Sequence, residues 1–134
     1  MKIVVIGSSN IDMVAQVSHL PAPGETVGDA CFMQLLGGKG ANQAVAAARL
    51  GASVTFITSL GNDMYADILK KHFTEEGINT NYIIDDSHHP TGTARRSRHN
   101  LSARRILLAY RQRISKYQST GTERIFIACG TDII

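Results

Sequence analysis

A glycine-rich run placed directly before an alanine-rich one constrains this chain more than any other feature. Gly37-Gly38-Lys39-Gly40-Ala41-Asn42-Gln43 leads straight into Ala44 to Leu50. Glycine lets the backbone take left-handed conformations and brings N–H groups up to a ligand with no side chain in the way. A helix behind such a turn adds partial positive charge at its N-terminus. The run therefore predicts a binding turn opening a helix over Gly40 to Leu50, where Ala41, Val45 and Ala48 recur at helical spacing and Gly51 supplies the stop.

The flanking segments set the fold class. Lys2 to Gly7 carries the continuous β-branched stretch Ile3-Val4-Val5-Ile6, the pattern of a central strand buried on both faces of a parallel sheet. Val54 to Ile57 is a second buried strand. Asn62 or Asp63 caps a following helix with Met64, Ile68, Leu69 and Phe73 on or near one face and Gly77 at its end, and Asn81 to Ile84 begins a third strand. Alternation of strand and helix in this order predicts an α/β fold with right-handed crossovers. Met13 to Val17 and Thr26 to Leu36 alternate more loosely around Pro21-Ala22-Pro23-Gly24, which predicts an antiparallel excursion from the main sheet.

Asn10-Ile11-Asp12 follows the first strand, where such residues are ordinarily turn formers. Together with the glycine run they resemble the sugar site of the ribokinase-like family of carbohydrate kinases. Gly37 through Asn42 and Gly51 to Gly61 follow that family's N-terminal signature, and Pro23-Gly24-Glu25-Thr26 and Pro90-Thr91-Gly92 fall where its members carry similar residues. The resemblance covers Met1 to Ala94. It implies a Rossmann-like three-layer α/β/α fragment with a partial β-sheet lid, the lid strands lying within about residues 13–36. It also implies that Asn10, Asp12, Gly38, Lys39, Gly40 and Asn42 bind ribose or a related pentose. The chemistry suits a sugar: Asp12 can accept two hydroxyl protons with its charge strengthening both bonds, and Asn10 and Asn42 each donate and accept. Lys39 reads equally well as a sugar or phosphate contact and as a solvated lysine in a loop.

Other motifs do not match. There is no GxxxxGK[ST], and Gly38-Lys39-Gly40 lacks the third glycine of a dinucleotide fingerprint. Cys31 and Cys129 form no CxxC and suggest neither zinc nor a disulfide framework, leaving them as buried or incidental thiols. His88-His89 is a weak metal pair, because adjacent histidines in a polar turn point apart. No run approaches the ~20 apolar residues of a membrane span, and the apolar start is too short for a signal-peptide core. A cytoplasmic chain is expected.

Charge divides the chain at Ala94. Residues 1–94 hold five Lys or Arg against nine Asp or Glu, whereas residues 95–134 hold nine against two. Ser102 to Ile114 reads as a basic amphipathic helix and Ile125 to Cys129 as a short strand, neither continuing the family pattern. The composition after Ala94 resembles translation in a shifted reading frame, which gives a basic tail over 95–134 unrelated to the rest.

The resemblance implies ATP-dependent phosphorylation of D-ribose to ribose 5-phosphate, with Mg and a monovalent cation, through a C-terminal glycine-rich motif that contains an aspartate base. No such motif occurs here, and Cys129-Gly130-Thr131-Asp132 lacks its second glycine. The resemblance therefore implies a truncated kinase that keeps part of the sugar site without its catalytic residues or ATP site. Full-length members would dimerise through the lid, and this chain, with at most half the lid strands, is not expected to. The alternative is a non-catalytic module whose tail contacts nucleic acid or an anionic membrane. Its few aromatics, Tyr110, Tyr117 and Phe126, make no stacking platform.

Overall fold

The computed structural model describes residues 1–19, 21–94 and 124–128, the last as a backbone strand. In chain order the elements are β1 (Lys2–Gly7), β2 (Asn10–Gln16), β3 (Cys31–Gly37), α1 (Lys39–Arg49), β4 (Ser53–Ile57), β5 (Ser59–Gly61), α2 (Met64–Glu75), β6 (Ile84–Asp86), β7 (Thr93–Ala94) and β8 (Arg124–Ala128). The helix predicted over 102–114 and the Cys129 to Asp132 segment lie outside the described residues.

β1 is central, as its unbroken apolar run predicts. It pairs in parallel with β4, Ile3 beside Val54 and Ile6 beside Ile57, and on its other edge with β8, Ile3 beside Arg124 and Gly7 beside Ala128. Alternation along the strands splits the core into two faces. Ile3, Val5, Val54 and Phe56 join Ala41 and Ala44 of α1 and Ala66, Leu69 and Phe73 of α2 in one cluster, while Val4, Ile6 and Ile57 on the opposite face pack with Tyr82. Small residues at Gly40, Ala41 and Ala44 make up the buried stripe of α1. Phe56 and Phe73 meet edge to face, with ring centroids 5.1 Å apart. This is an α/β fold.

The antiparallel excursion is β2 and β3, in register from Asn10 beside Gly37 to Gln16 beside Cys31, with β7 added in parallel along the other edge of β2. A turn at its far end bonds Glu25 N–H to Ala22 O and sets Gly24 at φ +83°. Two sequence expectations shift. The strand expected from Asn81 starts only at Ile84 and pairs with β5, a strand of three residues too short to leave a sequence pattern. The delay has a local cause: the Asn79 side chain accepts the Asn81 N–H and Ile83 N–H bonds Thr80 O, so the chain turns first. In α2, Met64 and Ile68 lie outside the buried stripe, which is Ala66, Leu69 and Phe73.

Candidate functional site

The C-terminal end of β1 is the floor of the site. The chain leaves it through Ser8 and Ser9, then enters β2 at Asn10, and the first turn of α1 rests on that crossing. Gly38 takes φ +106°, and a β-carbon there would stand 2.5 Å from Ser8 O and 2.6 Å from Ser9 Cα. A β-carbon on Gly40 would meet Gly7 Cα at 2.6 Å. Ala41 N–H then bonds Ser8 O at 3.1 Å, tying the helix start to the end of the strand. Two of the run's glycines are thus there for close backbone approach. No side chain caps α1.

Asn10 and Asp12 are not turn residues but the first and third residues of β2, so their side chains share a face. Asn10 Nδ2 donates to Asp12 Oδ1 at 2.5 Å, and both residues are half-buried. Asp12 faces the glycine run directly: a β-carbon on Gly37 would fall 2.7 Å from its Oδ2. The pair therefore presents an oriented carboxylate and an amide beside the N-terminus of α1, a donor and acceptor set suited to neighbouring hydroxyl groups.

A third wall comes from the Pro90-Thr91-Gly92 segment. Gly92 O accepts the Ile11 N–H at 2.9 Å, and a β-carbon on Gly92 would lie 3.4 Å from Asn10 Cβ. Thr91 is buried, its hydroxyl accepting the Gly61 N–H at 3.0 Å and its own N–H donating to Asp63 Oδ2 at 2.7 Å. Burial works against ionisation of Asp63, but hydrogen bonds from Thr91, Ala66 and Tyr65 outweigh it and hold its carboxyl below the usual aspartate range. Sequence reading took Asp63 only as a possible helix cap, because a long-range bond to Thr91 leaves no local pattern.

Of the six candidate residues the structure brings Asn10, Asp12, Gly38 and Gly40 together where β1 ends, β2 begins and α1 starts. Lys39 opens α1 there and is exposed. Asn42, also exposed, borders a groove of about 440 Å³ between the helices, together with Leu36, Val45, Arg49, His72 and Phe73. Cys31 is an exposed free thiol, and the His89 ring pairs with Asp86 at 2.9 Å. Among the described residues no three His, Cys, Asp or Glu side chains converge as metal ligands. Asp12 accepts from Asn10, and Asp63, at the start of α2, accepts from Thr91, Tyr65 and Ala66. No helix among the described residues is long and apolar enough to cross a membrane.

The model of the pfkB family of carbohydrate kinases matches residues 1–130. The chain belongs to this family. It is 48% identical over 94 residues to a bifunctional ribokinase/ribose-5-phosphate isomerase A of Fructilactobacillus sanfranciscensis, a match covering 69% of this chain and 17% of that protein. It is 48% identical over 90 residues to the ribokinase of Haemophilus influenzae, covering 67% of this chain and 29% of the relative. Among solved structures, Arabidopsis thaliana ribokinase complexed with ribose and ATP superposes with a TM-score of 0.62 at 34% identity, covering 69% of this chain and 30% of that one. The chain spans less than a third of the length of these proteins.

Proposed function

We propose that this chain carries the sugar-binding part of a ribokinase-type kinase and binds D-ribose between the Asn10 and Asp12 side chains and the turn Gly38-Lys39-Gly40, with Asn42 in the next turn of α1 as a further contact. The observation that carries this reading is the packing of the Asp12 carboxylate against Gly37, beside the N-terminus of α1. There a charged acceptor and an amide stand beside the positive end of a helix, partners that would suit a polyol's hydroxyls. The naming of relatives as ribokinases, and of one structural neighbour as a complex with ribose and ATP, supports the choice of sugar. In the parent reaction ATP would phosphorylate ribose to ribose 5-phosphate. These 134 residues contain no second glycine-rich motif of the family's form, so the proposal assigns this chain sugar binding and expects no turnover from it alone.

The test is calorimetric titration of the purified chain with D-ribose and with 2-deoxyribose, alongside an assay of ribose-dependent ATP hydrolysis. Saturable ribose binding that Asp12→Ala weakens by roughly 10- to 100-fold, with no turnover, supports the proposal. Absence of ribose binding by the folded chain rejects it.

A further inference from the structure

Asp63 does two jobs with two oxygens. As the residue before α2 its Oδ1 accepts the N–H groups of Tyr65 and Ala66 at 3.1 and 3.0 Å, capping the helix. Serine, threonine or asparagine would serve there about as well, so the cap alone does not call for a carboxylate. The second oxygen does. Oδ2 accepts the N–H of Thr91 at 2.7 Å, reaching a segment distant in sequence.

That segment is held on both sides. The Thr91 hydroxyl takes the Gly61 N–H, and Gly61 has no room for a side chain because His89, Pro90 and Thr91 backbone atoms press against it. One residue on, Gly92 O takes the Ile11 N–H, and β7 then continues beside β2 with Thr93 opposite Ile11 and Ala94 opposite Asp12. An unbroken path of bonds thus leads from Asp63 to the backbone that carries Asn10 and Asp12.

We propose that Asp63 is a positioning residue for the Asn10 and Asp12 pair, acting through Thr91 and Gly92. The proposal rests on the sugar reading of that pair. Asp63 touches no sugar itself. Its carboxylate fixes the strand that lies along β2, and so fixes where the Asp12 carboxylate stands relative to Gly37.

Asp63→Asn isolates this role. An amide has a single oxygen, and the two N–H groups at the start of α2 outbid the single N–H of Thr91, which then faces the amide nitrogen, donor against donor. The cap survives and the long-range bond does not. Two readouts decide the matter on the full chain: amide hydrogen exchange, which reports local opening, and D-ribose affinity by calorimetry. The expected result is exchange at Ile11 faster by about tenfold and ribose binding weaker by about tenfold, with Tyr65, Ala66 and the β1 amides protected as before. Thr91→Ser, which keeps the N–H and the hydroxyl, should behave as wild type on both. Unchanged exchange at Ile11 would overturn the proposal, as would faster exchange with undiminished ribose affinity. If the wild-type chain binds no ribose, the sugar reading fails, while exchange at Ile11 still decides whether Asp63 fixes the Asn10 to Asp12 segment.

Discussion

Gly40 lies so close over Gly7 that a β-carbon on the first would come within 2.6 Å of the α-carbon of the second. This contact sets the distance between the start of α1 and the end of β1, beside which Asn10 and Asp12 stand. Since Gly40 has no positive φ, its requirement for glycine is purely steric.

Gly40→Ala is therefore expected to lift α1 from the strand, destabilising the chain by about 1–3 kcal/mol through overpacking. Gly51 makes the informative comparison, because it has φ +85° with open space around it. Gly51→Ala should cost a similar ~1–2 kcal/mol of backbone strain yet leave ribose affinity unchanged. Urea denaturation and calorimetry on both variants check this. Equal effects on binding would mean that the Gly40 contact does not shape the site.

Asp12→Ala removes the charged acceptor of the proposed site. Hydrogen bonds to a charged group are worth about 1.5–3 kcal/mol, so ribose affinity should fall by roughly 10- to 100-fold. Global stability should change by no more than about 1 kcal/mol, since the residue is half-buried and its one side-chain partner is Asn10. Calorimetry and a thermal melt on the same preparation separate the two effects.

The sequence made the local parts of this structure legible and left the long-range parts hidden. β1 is announced by its unbroken β-branched run, β4 by the stretch Val54 to Ile57, and α1 by the glycine run at one end and Gly51 at the other. The candidate site residues come from a motif whose logic is also local, glycine where backbones touch. β5 escapes because three residues are too few to show a period, and β6, expected from Asn81, starts at Ile84 because a local turn comes first. Asn10 and Asp12 looked like residues of a turn, yet pairing with β3 draws them into β2. Ile125 to Ala128 was recognisable as a strand, but not its place: only the structure pairs it with β1, and the family match runs on past Ala94 to residue 130. The bond from Asp63 to Thr91 is a property of the folded chain and has no signature in either segment alone.

Phe73 ties α2 to the sheet. It is fully buried and stands edge to face against Phe56, with an interplanar angle of 84°. Phe73→Ala should cost about 3–5 kcal/mol, a large part of the ~5–15 kcal/mol that holds a domain together. Phe73→Leu keeps most of the volume and should cost clearly less. A shift in the urea midpoint, larger for alanine than for leucine, is the expected result; equal and small shifts would mean that α2 contributes little to the fold's cooperativity.

Asp63 also predicts the acid limb of stability. Burial disfavours its charge, but the hydrogen bonds from Thr91, Ala66 and Tyr65 prevail, so the native carboxyl takes up a proton less readily than the unfolded one. Its charged form therefore stabilises the fold fully above the unfolded value of about 3.9, and that contribution is lost as the pH falls through the lower native value. Asp63→Asn cannot titrate. Wild type should be more stable than the variant at pH 6, with the gap narrowing once the pH drops below about 4. The remaining carboxylates, Glu25, Glu76 and Asp86 among them, titrate in both proteins and cancel from the difference. Urea midpoints measured for both proteins from pH 7 downward give the answer: a constant gap would assign the loss to the cap geometry of α2, and a gap that closes on acidification assigns it to the charge that Thr91 binds.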